Sequence, residues 1–227
     1  GNAVTSPATG QWTQINGPNT LNILAPSSPT SQVTGMMAGV YTLQWTVNNG
    51  PCADPSVLTD QMTLTVFPAA QSAANAGPDQ SICNTTASVT LTGNTPIFPA
   101  TGQWTLISGS GTITSPTSPI TTITSLGVGV NCFRWTINNG TCGAPTVDEV
   151  CITVYDVNAP VANAGPDQAW CLPTTSATLA ANTPTFPATG VWSVIAGTGT
   201  FSNASSPTSS VSGLSLGTNT FRWPINN

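Results

Sequence analysis

Apolar and polar positions along this chain alternate with period two, in short runs. Phe133-Arg134-Trp135-Thr136-Ile137 is apolar at the odd positions and polar at the even ones, and Val150, Ile152 and Val154 alternate with Cys151 and Thr153. Val89 and Leu91 alternate with Thr90 and Thr92, and Trp104 and Leu106 with Gln103 and Thr105. Each run predicts a strand with one buried face. Clusters rich in Gly, Ser, Pro and Asn at 108–111, 115–118 and 138–140 supply the turns between them. No segment carries a convincing helical stripe.

The runs form one sentence written three times. The second copy reads Asn94-Thr95-Pro96, Pro99-Ala100-Thr101-Gly102-Gln103-Trp104 and Phe133-Arg134-Trp135-Thr136-Ile137-Asn138-Asn139. The third reads Asn182-Thr183-Pro184, Pro187-Ala188-Thr189-Gly190-Val191-Trp192 and Phe221-Arg222-Trp223-Pro224-Ile225-Asn226-Asn227. The first has Pro7-Ala8-Thr9-Gly10-Gln11-Trp12 and Leu43-Gln44-Trp45-Thr46-Val47-Asn48-Asn49. Equivalent tryptophans stand 88 residues apart in the second and third copies (Trp104 and Trp192, Trp135 and Trp223). That period is too long for a solenoid unit, which shares its core with its neighbours, and suits a small domain that closes its own core. About seven short strands per copy is the rhythm of an immunoglobulin-like sandwich.

The fold class expected is therefore all-β, tandem immunoglobulin-like sandwiches. The boundaries are 1–69 for a copy lacking its first strand, 70–158 for a complete one, and 159–227 for a copy lacking its last. On this reading the chain is a window on a longer repetitive protein. The paired tryptophans, Trp12 and Trp45, Trp104 and Trp135, Trp192 and Trp223, are expected to be core, reaching inward from facing sheets. An aromatic platform for a sugar ring is the alternative.

Composition narrows the function. Charged residues are 4% of the chain, His and Lys are absent, and the only cations are Arg134 and Arg222. The net charge of −5 argues against nucleic acid or an acidic membrane surface as partner, and no apolar run is long enough to insert in a bilayer. Without His or Lys the usual general bases and Schiff-base chemistry are missing. Asp148 and Glu149 are adjacent, so a strand points them to opposite faces. No enzyme is expected, no catalytic residue and no cofactor. Asp79 and Asp167 recur inside Ala-Gly-Pro-Asp-Gln, where Asp reads as a turn closer after Pro. A calcium ion at Asp156 and Asp167 is a weaker reading, because the first junction has Pro68 in place of Asp156. The triplets beginning at Asn84, Asn139 and Asn203 fit an N-glycosylation acceptor only as a weak pattern.

The six cysteines become legible on the repeat. Cys83 and Cys171 are equivalent, as are Cys52 and Cys142. If early and late cysteines pair within a copy, Cys83 bonds Cys142, and Cys52 and Cys171 have their partners outside this stretch of sequence. Cys132 and Cys151 belong to the second copy alone, and both point outward on consecutive strands, as a cross-strand bridge requires. Metal binding is the rival, but no His and no Cys-x-x-Cys is present. Disulfides imply an oxidising, extracellular setting.

Ala74-Asn75-Ala76-Gly77-Pro78-Asp79-Gln80, the following Cys, Asn-Thr-Pro, Gly-x-Trp, Ser-Pro-Thr at 115–117 and 206–208, and Phe-Arg-Trp-x-Ile-Asn-Asn together resemble a known pattern. It is that of the tandem PKD-like or Ig-like repeats of giant Bacteroidota surface proteins, including gliding-motility adhesins of the SprB type. The resemblance covers essentially the whole chain. It implies a PKD-like β-sandwich, type IX export, and a role in adhesion or a surface filament. Copy one departs from it, with Gln44 where the others have Arg.

The function expected is the stalk or filament of a large extracellular adhesin at a bacterial cell surface, its partners being the neighbouring repeats of the same polypeptide. A carbohydrate-binding array touching surface glycans, and a filament whose subunits exchange strands, are the alternatives.

Overall fold

The structure, a computed structural model, describes residues 1–51, 57–171 and 173–227. Repeat one contains β1 (Thr9–Asn16), β2 (Asn22–Ile23), β3 (Val33–Thr34), β4 (Gly39–Asn48) and β5 (Val57–Val66). Repeat two contains β6 (Gln80–Cys83), β7 (Ser88–Thr92), β8 (Thr101–Ser108), β9 (Thr112–Ile113), β10 (Ile120–Thr124), β11 (Gly129–Asn138) and β12 (Thr146–Tyr155). Repeat three contains β13 (Ser176–Thr178), β14 (Thr189–Gly190), β15 (Ser193–Ala196), β16 (Thr200–Phe201), β17 (Ser210–Ser212), β18 (Thr220–Arg222) and β19 (Ile225–Asn226). Among the described residues the one helical piece is a 3-10 turn at Gly140–Cys142. The protein is all-β, as its period-two pattern and its supply of Thr, Val and Ile require.

Repeat two is a two-sheet sandwich. One sheet runs β6-β12-β11-β8 and the other β7-β10-β9. Between them lies a core of Val89, Leu91, Trp104, Ile123, Phe133, Trp135, Ile137, Val150, Ile152 and Val154. Those are the apolar members of the alternating runs, so the pleat alone delivers them to one face. Neighbours pair antiparallel except β6 and β12, which are parallel, with Gln80 opposite Ile152 and Cys83 opposite Tyr155. The first and last strands of the repeat are thus side by side.

Repeats one and three have cores of their own, around Leu21, Tyr41 and Leu43 and around Leu179, Trp192, Val211 and Trp223. Repeat one keeps the sheet β1-β4-β5, but β5 is mostly exposed, unlike its counterpart β12. In repeat three the long strands are broken: β14 pairs with β19 and β15 with β18. The break falls at Pro224, where repeat two has Thr136. Pro has no N–H to offer a neighbouring strand.

A bulge that the sequence pattern does not announce recurs in all three repeats. The register slips between Gln14 and Asn16, opposite the Cys132/Phe133 step, and between Val194 and Ala196. Ile15, Ile107 and Ile195 are the extra residues, and each is exposed.

Candidate functional site

The recurring tryptophans are the first element to place. β8 and β11 pair with Trp104 opposite Trp135, and β1 and β4 with Trp12 opposite Trp45. Each pair therefore comes from adjacent strands of one sheet, not from facing sheets as the sequence reading has it. Directly opposed residues share a face, so the two rings lean on each other. Ring centroids are 5.2, 5.0 and 5.1 Å apart in repeats one to three, a separation at which tilted aromatic pairs attract. Trp45, Trp104, Trp135, Trp192 and Trp223 are buried, and Trp12 is partly covered.

The glycine two residues before the first tryptophan is explained by the second. A Cβ on Gly10, Gly102 or Gly190 would overlap the ring of Trp45, Trp135 or Trp223 respectively. Two of the equivalent indole N–H groups find backbone carbonyls inside the fold, Trp135 Nε1 donating to Asn94 O at 3.1 Å and Trp223 Nε1 to Asn182 O at 3.2 Å, whereas Trp45 Nε1 is buried with no acceptor among the described residues. The same asparagines, from Asn-Thr-Pro, hold the entry segment. Asn75 N donates to Asn94 Oδ1 and Asn163 N to Asn182 Oδ1, both at 2.8 Å. Buried in this way, the tryptophan pair of repeat two offers no platform for a sugar. Trp170, in contrast, is exposed. It borders an open groove of about 820 Å³ in repeat three that also touches Leu179, Trp192, Leu214 and Phe221. The matching side of repeat two is covered by β12.

Asp79 and Asp148 serve the backbone. Asp79 Oδ1 accepts from Cys151 N at 2.8 Å, and Asp148 Oδ2 from Ala76 N at 2.7 Å. Asp79 thus ties the entry segment to β12 instead of closing its own turn. Glu149, on the opposite face from Asp148, accepts from Arg134 Nη2 at 2.6 Å and Nε at 3.0 Å.

The outer face of β11 and β12 carries a cross-strand ladder. Cys132 and Cys151 are directly opposite, with Cα atoms 4.1 Å apart, and form a disulfide. Repeat one occupies the same two rungs differently: Thr42 faces Thr63 in place of the disulfide, and Gln61 Nε2 donates to Gln44 Oε1 at 2.9 Å in place of the ion pair.

The expected bond between Cys83 and Cys142 does not form; both are free, exposed thiols, as is Cys171. The topology explains why. Cys83 pairs with Tyr155, at the end of β12, whereas Cys142 follows β11, whose last rungs oppose the start of β12 at Thr146. Ten strand residues separate those ends, which puts the two cysteines on the order of 30 Å apart, at opposite poles of the repeat. Cys52 lies outside the described residues.

At those poles the repeats meet, through a contact that occurs twice. Asn139 Nδ2 donates to Pro68 O at 3.0 Å, and Asn227 Nδ2 to Asp156 O at 2.5 Å. Asn227 is the counterpart of Asn139, and Asp156 of Pro68. The first contact is buried around Asn139, and Gly140 lies so close to the Phe67 ring that a Cβ would overlap it. Asp156 is itself fixed, its Oδ1 accepting from Asn84 Nδ2 at 2.8 Å and Asn158 N at 3.0 Å. The final Asn of Asn-Asn, read from sequence as a turn residue only, is thus the docking residue of repeats two and three. Its recurrence at a fixed step was the signal available.

No protein-family model matches the chain, and no characterised protein sequence matches it. Solved structures similar to it include the PKD domain from human KIAA0319, at 22% identity over 43% of this chain and 88% of that one, TM-score 0.33. A three-Ig structure of titin domains, an E-to-A mutated variant, matches at 10% identity over 97% and 87% of the two chains, TM-score 0.40. An endo-fucoidan hydrolase of glycoside hydrolase family 107 matches at 17% identity over 65% of this chain and 24% of that one, TM-score 0.31. Among the described residues, no helix is long and apolar enough to cross a membrane.

Proposed function

We propose that this chain is part of the stalk of a large extracellular bacterial adhesin, a row of sandwiches that holds a distal binding region away from the cell. The observation that carries this is the repeated docking contact, Asn139 on Pro68 O and Asn227 on Asp156 O. It puts an equivalent hydrogen bond at both junctions. The tryptophan pair of repeat two lies wholly in its core, with no ring face left for a ligand. The Cys132–Cys151 bond fits export to an oxidising compartment. The repeat pattern supports a parent of the gliding-motility adhesin kind, exported by the type IX route.

Small-angle X-ray scattering tests the stalk. Three sandwiches in file, each roughly 25–35 Å long at 3.3 Å per strand residue, predict a maximum dimension of about 75–105 Å. Asn139→Ala should broaden the distance distribution without altering tryptophan emission. A compact particle with the repeats folded back on each other would sink the reading. On intact cells of the source organism, antibody raised against repeat two should label the surface.

A further inference from the structure

The free cysteines have positions that the stalk does not account for. Cys83 and Cys142 cannot reach each other across repeat two, yet each lies at a pole where a neighbouring repeat docks. We propose that a disulfide joins consecutive repeats at the junction, between the Cys83-type cysteine of one repeat and the Cys142-type cysteine of the next. The bond deepens the stalk reading and rests on it.

Both halves of the junction are visible. On the leading side, Cys83 is the strand partner of Tyr155, and Asn84 is tied to the same corner through Tyr155 O and Asp156 Oδ1. On the trailing side, Asn227 docks on Asp156 O. The equivalent Asn139 opens a turn in which Cys142 N donates back to Asn139 O at 3.2 Å, so the cysteine follows the docking residue by three positions and stays beside it. Asn-Asn-Gly-x-Cys occurs twice, ending at Cys52 and Cys142.

Each step between the two cysteines is short. Adjacent strands lie about 5 Å apart, one further residue reaches Asp156, and a four-residue turn returns its ends to within about 7 Å. A disulfide needs Cα atoms about 4.4–6.8 Å apart. A second observation points to the same packing. Asn139 Oδ1 is buried with no donor among the described residues, whereas Asn84, next to Cys83, brings a side-chain amide to the corresponding corner of the following junction.

The chemistry is ordinary thiol–disulfide exchange. One thiolate attacks a sulfur of a low-molecular-weight disulfide and expels a thiol; the second thiolate then displaces the other thiol. The protein loses two protons and two electrons, and the small disulfide takes up both as two thiols.

The test lengthens the chain after Asn227 by a copy of residues 50–66, in a Cys52→Ser background so that the added cysteine's peptide is unique. After refolding with glutathione disulfide, peptides cut without reduction should link Cys83 to the added cysteine. Alkylation of Cys83 should fall at least tenfold relative to the unlengthened chain. Cys83→Ser should abolish the link and leave Cys132–Cys151 in place. A freely alkylated Cys83, or one bridging two molecules, in a chain with native tryptophan emission would overturn the bond and leave the stalk standing. The same map on protein isolated from its source is the second measurement, independent of whether the lengthened chain folds. A Cys83 peptide recovered without an Asn-Asn-Gly-x-Cys partner overturns the proposal there too.

Discussion

Repeats two and three carry the same motifs and the same tryptophan pair, with ring centroids 5.0 and 5.1 Å apart, yet their sheets are not equally continuous. In repeat two, Phe133 and Trp135 are wholly buried between the two sheets, with β12 alongside, and the strands run for up to ten residues. In repeat three, Phe221 is only partly covered, an open groove reaches Trp192, and strands of two to four residues replace the long ones. The pair and its glycine are therefore a local device, set by two opposed strands. Continuity of the sheet depends instead on an unbroken row of N–H donors, which Pro224 interrupts.

The sharpest way to break this comparison is to remove one ring from each repeat. Trp135→Ala should destabilise repeat two by about 3–5 kcal/mol through the cavity it leaves. Trp223→Ala should cost repeat three less, because its neighbours Trp192 and Phe221 already border an open groove. Hydrogen exchange resolved by repeat reads both, and equal losses would mean that coverage by β12 contributes nothing.

Next in size is the cross-strand bridge. Replacing Cys132 and Cys151 by the Thr pair that repeat one has at these rungs should lower the stability of repeat two by about 2–4 kcal/mol, mostly by freeing the unfolded chain. Denaturant unfolding of repeat two measures it. A null effect would place the difference between the repeats elsewhere.

In the opposite direction, Pro224→Thr should restore a donor to repeat three and contribute about 1 kcal/mol, the worth of one net hydrogen bond. Amide protection spreading across Arg222–Ile225 would show β18 and β19 merging. If the strand stays broken, Pro224 is not the cause.

The smallest effect is expected from exchanging Arg134 and Glu149 together for Gln, the pair found in repeat one. Both side chains are substantially exposed, at 39% and 46%, and such ion pairs contribute only about 0–1 kcal/mol. A midpoint shift of several degrees in thermal unfolding would contradict that.

Much of the fold was legible because strand patterning is local. The odd positions of Phe133–Ile137 are the buried ones, and the outward pair Cys132 and Cys151 followed from the same alternation. Sheet membership was not legible, since alternation says which way Trp104 and Trp135 point but not which strands are neighbours. The Cys83–Cys142 expectation failed for the same reason. Counting along the repeat finds equivalent residues, but only the parallel pairing of β6 with β12 shows that the two lie at opposite poles. The docking asparagines were hidden because their partner is a backbone carbonyl, which leaves no side-chain signature at Pro68 or Asp156.

That parallel pairing has a mechanical consequence. β6 is entered from the preceding repeat at its Gln80 end, and β12 leaves for the following repeat at its Tyr155 end, beside Cys83. A pull on the row draws β6 backward and β12 forward along their common axis. The load is then a shear that all the rungs between Gln80–Ile152 and Cys83–Tyr155 bear at once. If the pull opened the pair from one end, the rungs would instead part in sequence. Yield would come by sliding these four residue pairs together, while the disulfide one strand further in keeps β11 and β12 joined.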